Sequence, residues 1–148
     1  MLAIALVVVA VVAVLAGVLL GRRGRMKVRG NVDAEGTSVG NFSFAVERCL
    51  SGQTQTPRFF GVDLRAEGGF GLSVLGNGDG ARLRLFSQGG RRGSLVITKQ
   101  QCPQWDVSVE RYLATLDRAA GMTGHLNVTC QAGGGALKAN VVFERCPD

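Results

Sequence analysis

Four cysteines, Cys49, Cys102, Cys130 and Cys146, carry the most definite chemistry in this chain. A zinc site usually draws two sulfurs from one tight turn, as C-x2–4-C. Successive cysteines here lie 53, 28 and 16 positions apart, so neither metal ligation nor a C-x-x-C redox motif fits the spacing. An even number of cysteines in a small glycine-rich domain reads instead as two disulfides. His125 is the single histidine. A nucleophilic triad would set it beside a serine or cysteine and an orienting carboxylate. No G-x-S-x-G motif accompanies it, and a surface histidine at the start of a strand is the simpler expectation. Asp106 and Glu110 would share one face of a strand, where Arg111 and solvent account for both. Asn77-Gly-Asp-Gly80 lacks the leading aspartate and closing glutamate of a calcium loop. Gly68–Gly71 and Gly89–Gly93 do not open a helix as a phosphate loop must. The sequence therefore predicts no catalytic residue, no cofactor and no metal ligand, and a protein that is not an enzyme.

Two surface features suit binding better than catalysis. Arg82, Arg84, Arg91 and Arg92 crowd one hairpin, where they would meet acidic polysaccharide or lipid head groups. Arginines that keep an edge strand from pairing with another molecule are the plainer account of the same residues. Phe59-Phe60 beside Arg58 is the second candidate contact surface, with the core as the alternative place for both rings. Asn41-Phe-Ser43 and Asn127-Val-Thr129 match the glycosylation triplet, which matters only in a eukaryotic secretory protein.

These residues must be positioned by short strands. Alternation at period two runs through Phe42, Phe44 and Val46, then Phe60, Val62 and Leu64, then Phe70, Leu72 and Val74. Leu83 and Leu85 follow, and later Trp105, Val107 and Val109. Gly76–Gly80 and Gly133–Gly135 are turn signals. Only Val109–Ala120, closed by Gly121, has helical potential. About eight or nine short antiparallel strands with 22 glycines in the chain predict an all-β sandwich or barrel over residues 30–148.

Strand register then restricts the cysteines. Folding back through the triple-glycine turn places Cys130 opposite a residue near Lys138, eight positions short of Cys146. At about 3.3 Å per residue the two sit roughly 25 Å apart, against a limit of about 7 Å between bonded Cα atoms. Pairing the Trp105 strand with the Leu126 strand brings Cys102 near Cys130 and leaves Cys49 for Cys146.

The first twenty residues, Met1 to Leu20, contain no charged or strongly polar side chain. At about 1.5 Å per residue a helix of that length crosses a bilayer core of about 30 Å. Residues 1–21 are thus expected to form a transmembrane signal-anchor helix, and residues 22–29 a basic juxtamembrane segment. Val14-Leu15-Ala16 could serve as a cleavage site before Gly17, but the apolar run continues and favours a retained anchor. The formal charge of +6 belongs to that junction. Setting aside Arg22, Arg23, Arg25, Lys27 and Arg29 leaves twelve basic against eleven acidic residues. Nucleic-acid binding loses its support, and these five residues are expected to contact anionic lipid at a membrane surface. The same five, following the helix, favour a cytoplasmic domain by the positive-inside rule. The cysteines favour an oxidising compartment, periplasmic or extracellular, and we give them the greater weight.

An apolar helix before a cysteine-containing β-domain resembles type IV pilins, although the processing Gly-Phe junction and the intrahelical Glu of that family are missing. Cys49-Leu-Ser-Gly-Gln53, Phe59 to Leu64, and Gly124 through Cys146 resemble uncharacterised envelope-associated small β-domains of Gram-negative bacteria. That resemblance implies a β-domain in the cell envelope and no known activity. The expectation is a single-pass membrane protein with a binding or structural role, its partners the bilayer and an envelope protein or polysaccharide. A membrane-tethered enzyme accessory domain and a pilin-like subunit are the alternatives.

Overall fold

Inward and outward side chains alternate strictly along most of the chain, and two facing sheets result. The computed structural model describes residues 26–87, 93–113 and 120–148. These contain β1 (Lys27–Thr37), β2 (Gly40–Ala45), β3 (Arg48–Ser51), β4 (Gly61–Arg65), β5 (Gly71–Leu75), β6 (Arg82–Phe86), β7 (Ser94–Thr98), β8 (Gln104–Leu113), β9 (Ala120–Ala132) and β10 (Gly135–Pro147). The first sheet has the order β2-β1-β10-β9-β8 and the second β3-β4-β5-β6-β7, with every pairing antiparallel. Followed around both sheets the strands run in chain order, and β10 returns to pair with β1. The ladder is interrupted between β2 and β3 and between β7 and β8. The domain is accordingly a sandwich of two five-stranded sheets and not a closed barrel.

The core lies between the sheets. Val107, Val109, Leu126, Val128, Leu137, Val141 and Phe143 face it from the first sheet. Val62, Leu64, Leu72, Val74, Leu83, Leu85 and Ile97 face it from the second. Burying a side chain of this kind is worth about 1.5–3 kcal/mol. Gly133 and Gly134 form a two-residue turn between β9 and β10 with φ of 61° and 84°, a conformation that glycine adopts without a Cβ penalty.

Three local features depart from the alternation pattern. Phe42 to Cys49 reads as one strand, but the chain turns a corner within it. Val46 N–H donates to Gly30 O in the first sheet and Glu47 N–H to Arg65 O in the second, so β2 and β3 belong to different sheets. Val109 to Leu113, where the sequence also has helical potential, continues β8, because each residue finds a partner in β9. Residues 114–119 lie outside the described residues, as does the anchor expected over 1–21. Among the described residues no helix is long and apolar enough to cross a membrane. Lys27 and Arg29, expected in the juxtamembrane segment, lie in β1. Lys27 Nζ is 3.8 Å from Glu144 Oε2 in an exposed ion pair of small energetic weight.

The third departure aims a cysteine. Phe143 pairs with Gly124 and Cys146 with Met122, so β10 carries one more residue than β9 across this interval. Arg145 sits in the bulge with φ of 57°, in the left-handed region. Strict period two from Phe143 would turn Cys146 outward, whereas the extra residue turns it in, fully buried beside Cys49. Cys49 and Cys146 are disulfide-bonded with Cα atoms 5.1 Å apart, and Cys102 with Cys130 at 3.8 Å. Cys130 stands opposite Leu137, far from Cys146 along β10.

Two outcomes are expected. One alanine inserted between Arg145 and Cys146 turns the sulfur outward and leaves Cys49 and Cys146 as free thiols on non-reducing peptide mapping. Deletion of Arg145 keeps the sulfur inward and the bond intact, and loss of the bond there would refute the bulge as its aiming device. In chemical denaturation, removing both Cys49 and Cys146 should cost more than removing both Cys102 and Cys130. Their separations of 97 and 28 residues correspond to about 4–5 and about 3–4 kcal/mol of chain entropy.

Candidate functional site

The outward face of the second sheet is where polar side chains converge. Leu50, Asp63, Ser73, Arg84 and Val96 form one row across β3 to β7, and Arg48, Arg65, Gly71, Phe86 and Ser94 the next. Their chain neighbours Val62, Leu64, Leu72, Leu83 and Leu85 supply the core, so the period that buries one set presents the other.

The segment after β3 walls this face. It opens with a 3-10 turn over Gly52–Thr54, whose first N–H groups are partly met by Ser51 Oγ, accepting from Gln53 N–H at 3.2 Å. Phe59 N–H donates to Gly52 O at 3.1 Å and Gln53 Nε2 to Phe59 O at 2.9 Å, tying the segment into a closed loop. A Cβ on Gly52 would stand 2.6 Å from the Phe59 ring, and one on Gly71 2.2 Å from that of Phe86. Both aromatic rings therefore lie against glycines because no side chain occupies the space. Between them is a groove of about 520 Å³ whose lining includes Gln55, Phe59, Asp63, Arg65, Arg84 and Phe86.

Asp63 sits at its base with only 4% of its side chain exposed. Oδ2 accepts from Arg65 Nε at 2.8 Å and from Arg65 Nη2 at 2.5 Å, and Oδ1 accepts from Ser73 Oγ at 2.9 Å. A buried carboxylate needs such partners, and here both oxygens have them. Arg65 is 45% exposed; its Nη2 also reaches Gln55 Oε1 at 3.5 Å, and its guanidinium carbon lies 5.9 Å from the Phe86 ring centroid. The guanidinium is thus held from two sides with its outer edge open to the groove. Among the described residues no carboxylate lies within ion-pair distance of Arg84. Among the described residues, two arginines against one aspartate leave the lining with one surplus positive charge.

The residues singled out from sequence are scattered over the fold. Of the basic hairpin, Arg84 enters the groove, Arg82 is exposed two residues away in β6, and Arg91 and Arg92 lie outside the described residues. Phe59 forms a groove wall. Phe60, expected inward, is 45% exposed, because Gly61 with φ of 143° breaks the alternation at the first residue of β4. Arg22, Arg23 and Arg25 lie outside the described residues, and Lys27 and Arg29 are in β1.

His125 lies in mid-β9, not at a strand start, with Nε2 3.0 Å from Asp106 Oδ1. Ser108 stands directly across from His125 in β8. The pair lies on the open outer face of the first sheet, the side chains 44% and 64% exposed. Glu110 is exposed on the same face, and Arg111 bonds Asp148 at 3.2 Å. The Asn77–Gly80 turn has a structural job: Asn77 Oδ1 accepts from Val109 N–H at 2.9 Å and Gly78 O from Trp105 Nε1 at 3.1 Å, which closes the edge of β8. Asp79 pairs with Lys99 at 2.6 Å. Among the described residues no group of three or more His, Cys, Asp or Glu could hold a metal ion.

Sequence reasoning passed over Asp63, Arg65, Ser73 and Phe86. The available signal was Asp63-x-Arg65 on the outward period of a strand whose inward residues are Val62 and Leu64.

Comparison with protein-family models finds no match. Searches of curated proteins and of solved structures find no match either.

Asp63→Ala strands the Ser73 hydroxyl and the inner edge of Arg65, and should cost about 2–3 kcal/mol in urea denaturation. Arg84→Ala, which removes no pairing seen among the described residues, should change stability by less than about 0.5 kcal/mol. Equal losses in the two variants would contradict the assignment of Asp63 as the support of the groove.

Proposed function

We propose that this chain is a binding domain held at a membrane surface by its N-terminal apolar segment, on the extracytoplasmic side, with the groove on the second sheet as its ligand site. The groove carries the reading: a buried carboxylate fixes one arginine beside a second arginine and two aromatic walls, an arrangement suited to holding an anionic molecule. A strand interior has no structural need for a buried aspartate, and burying one without function is costly. Two disulfides support the oxidising compartment, and the uncharged run from Met1 to Leu20 supports the anchor. The domain binds without covalent chemistry, its partners being the bilayer and an envelope polysaccharide or protein, not nucleic acid.

Intact cells treated with a membrane-permeant alkylating agent before lysis test the placement. The expected result is a protein that stays with membranes after alkaline extraction and whose four cysteines react only after reduction. Four cysteines alkylated without reduction would move the domain to the cytoplasmic side, as the basic residues after the apolar run would have it. Release from membranes with Met1 intact would remove the anchor.

A further inference from the structure

We propose that the groove takes a carboxylate-bearing sugar, the uronate residue of an acidic glycan, with the carboxylate on Arg84 and the outer edge of Arg65 and the sugar ring against Phe59 and Phe86. This rests on the groove being the ligand site.

Charge comes first. Asp63 is the one acid among the described lining residues, and its oxygens are occupied by Arg65 and Ser73. The surplus of one positive charge matches the single carboxylate of one uronate unit seated in the groove, whereas a phosphate monoester near neutral pH is largely a dianion. Pre-organisation comes second. Arg65 is already fixed by Asp63 and Phe86, so little side-chain freedom is lost when its open edge meets a carboxylate.

Shape favours a sugar over a peptide. β4, β5 and β6, which form the floor, are interior strands paired on both sides, so an extended peptide finds no free main-chain edge to add to. The walls instead offer two aromatic rings for the C–H face of a pyranose. Gln55, Thr56 and Ser94 also line the groove and offer polar groups to its hydroxyls. A volume of about 520 Å³ falls within the roughly 300–1,000 Å³ typical of small-ligand clefts.

The test is calorimetric titration of the full chain in phosphatidylcholine nanodiscs. The titrants are digalacturonate, its neutral counterpart galactobiose, inorganic phosphate and an acidic tetrapeptide. Digalacturonate should bind, and galactobiose at least about tenfold more weakly, the worth of one charge-assisted contact. Arg84→Gln should weaken digalacturonate about tenfold and Phe86→Leu about threefold, each with an unchanged melting temperature. Comparison of the two disaccharides on the unmodified chain remains decisive if a variant fails to fold. Equal affinity for both disaccharides, or no digalacturonate binding, overturns the sugar-acid assignment. Binding of phosphate or the tetrapeptide as tightly as digalacturonate, lost in Arg84→Gln, overturns the ligand class while leaving the groove as the binding site. Digalacturonate binding unchanged in both variants overturns the groove itself. None of these outcomes alters the thiol-trapping result, which judges placement separately.

Discussion

Two consecutive backbone N–H groups, those of Val46 and Glu47, bond to different sheets, and the sandwich depends on that division. A meander of ten strands can close as a barrel or break into two layers. Here the ladder breaks at two corners, from β2 to β3 and from β7 through a 3-10 turn at Lys99–Gln101 to β8. Each break forfeits inter-strand hydrogen bonds, and each carries a disulfide. Cys49 in β3 is bonded to Cys146 in β10, and Cys102, just after the second corner, to Cys130 in β9. The covalent links stand where the hydrogen-bonded ladder does not. The second corner is further tied by Asn77 and Gly78, which bond to β8 from the opposing sheet.

Much of this was legible in the chain because it obeys local rules. Period two identified the inward faces of β4, β5, β6 and β8, and the run of glycines identified the last hairpin. Register through that hairpin was enough to argue which cysteines could not meet. What was illegible depends on contacts distant in sequence. The corner at Val46 leaves only a small trace in Phe42 to Cys49, two outward residues in a row at Glu47 and Arg48, and the partners that reveal it, Gly30 and Arg65, are distant in sequence. The bulge at Arg145 hides similarly, because nothing in Phe-Glu-Arg-Cys announces that two residues of one strand will face one of its neighbour. Over Val109 to Leu113 the helical potential yields to a complete ladder with β9.

The groove was illegible for a different reason. Aspartate on the outward period of a strand reads as a solvated side chain, and in an uncovered sheet it would be one. Asp63 becomes buried because the segment from Gly52 to Phe59 folds over that face, and it does so by means of residues that read as a polar loop. Arg84 was visible as part of a basic hairpin, but its neighbours in space, Asp63, Ser73 and Phe59, come from three other parts of the chain.

The contrast between the two outer faces shows what a site requires in this fold. On the first sheet His125, Asp106 and Ser108 have the residue types of a catalytic cluster, yet the His125–Asp106 pair stays in solvent, where water competes for every contact. On the second sheet residue types of no special distinction acquire fixed geometry because a loop excludes water from one side and glycines admit two aromatic rings. Along β4 the division is strict: Val62 and Leu64 hold the sheets together, while Asp63 and Arg65 shape the groove. The residues of the core and those of the groove thus lie on opposite faces of one strand. The groove can change its chemistry through Arg84 or Gln55 without touching the core, whereas Asp63, buried and fully bonded, belongs to both.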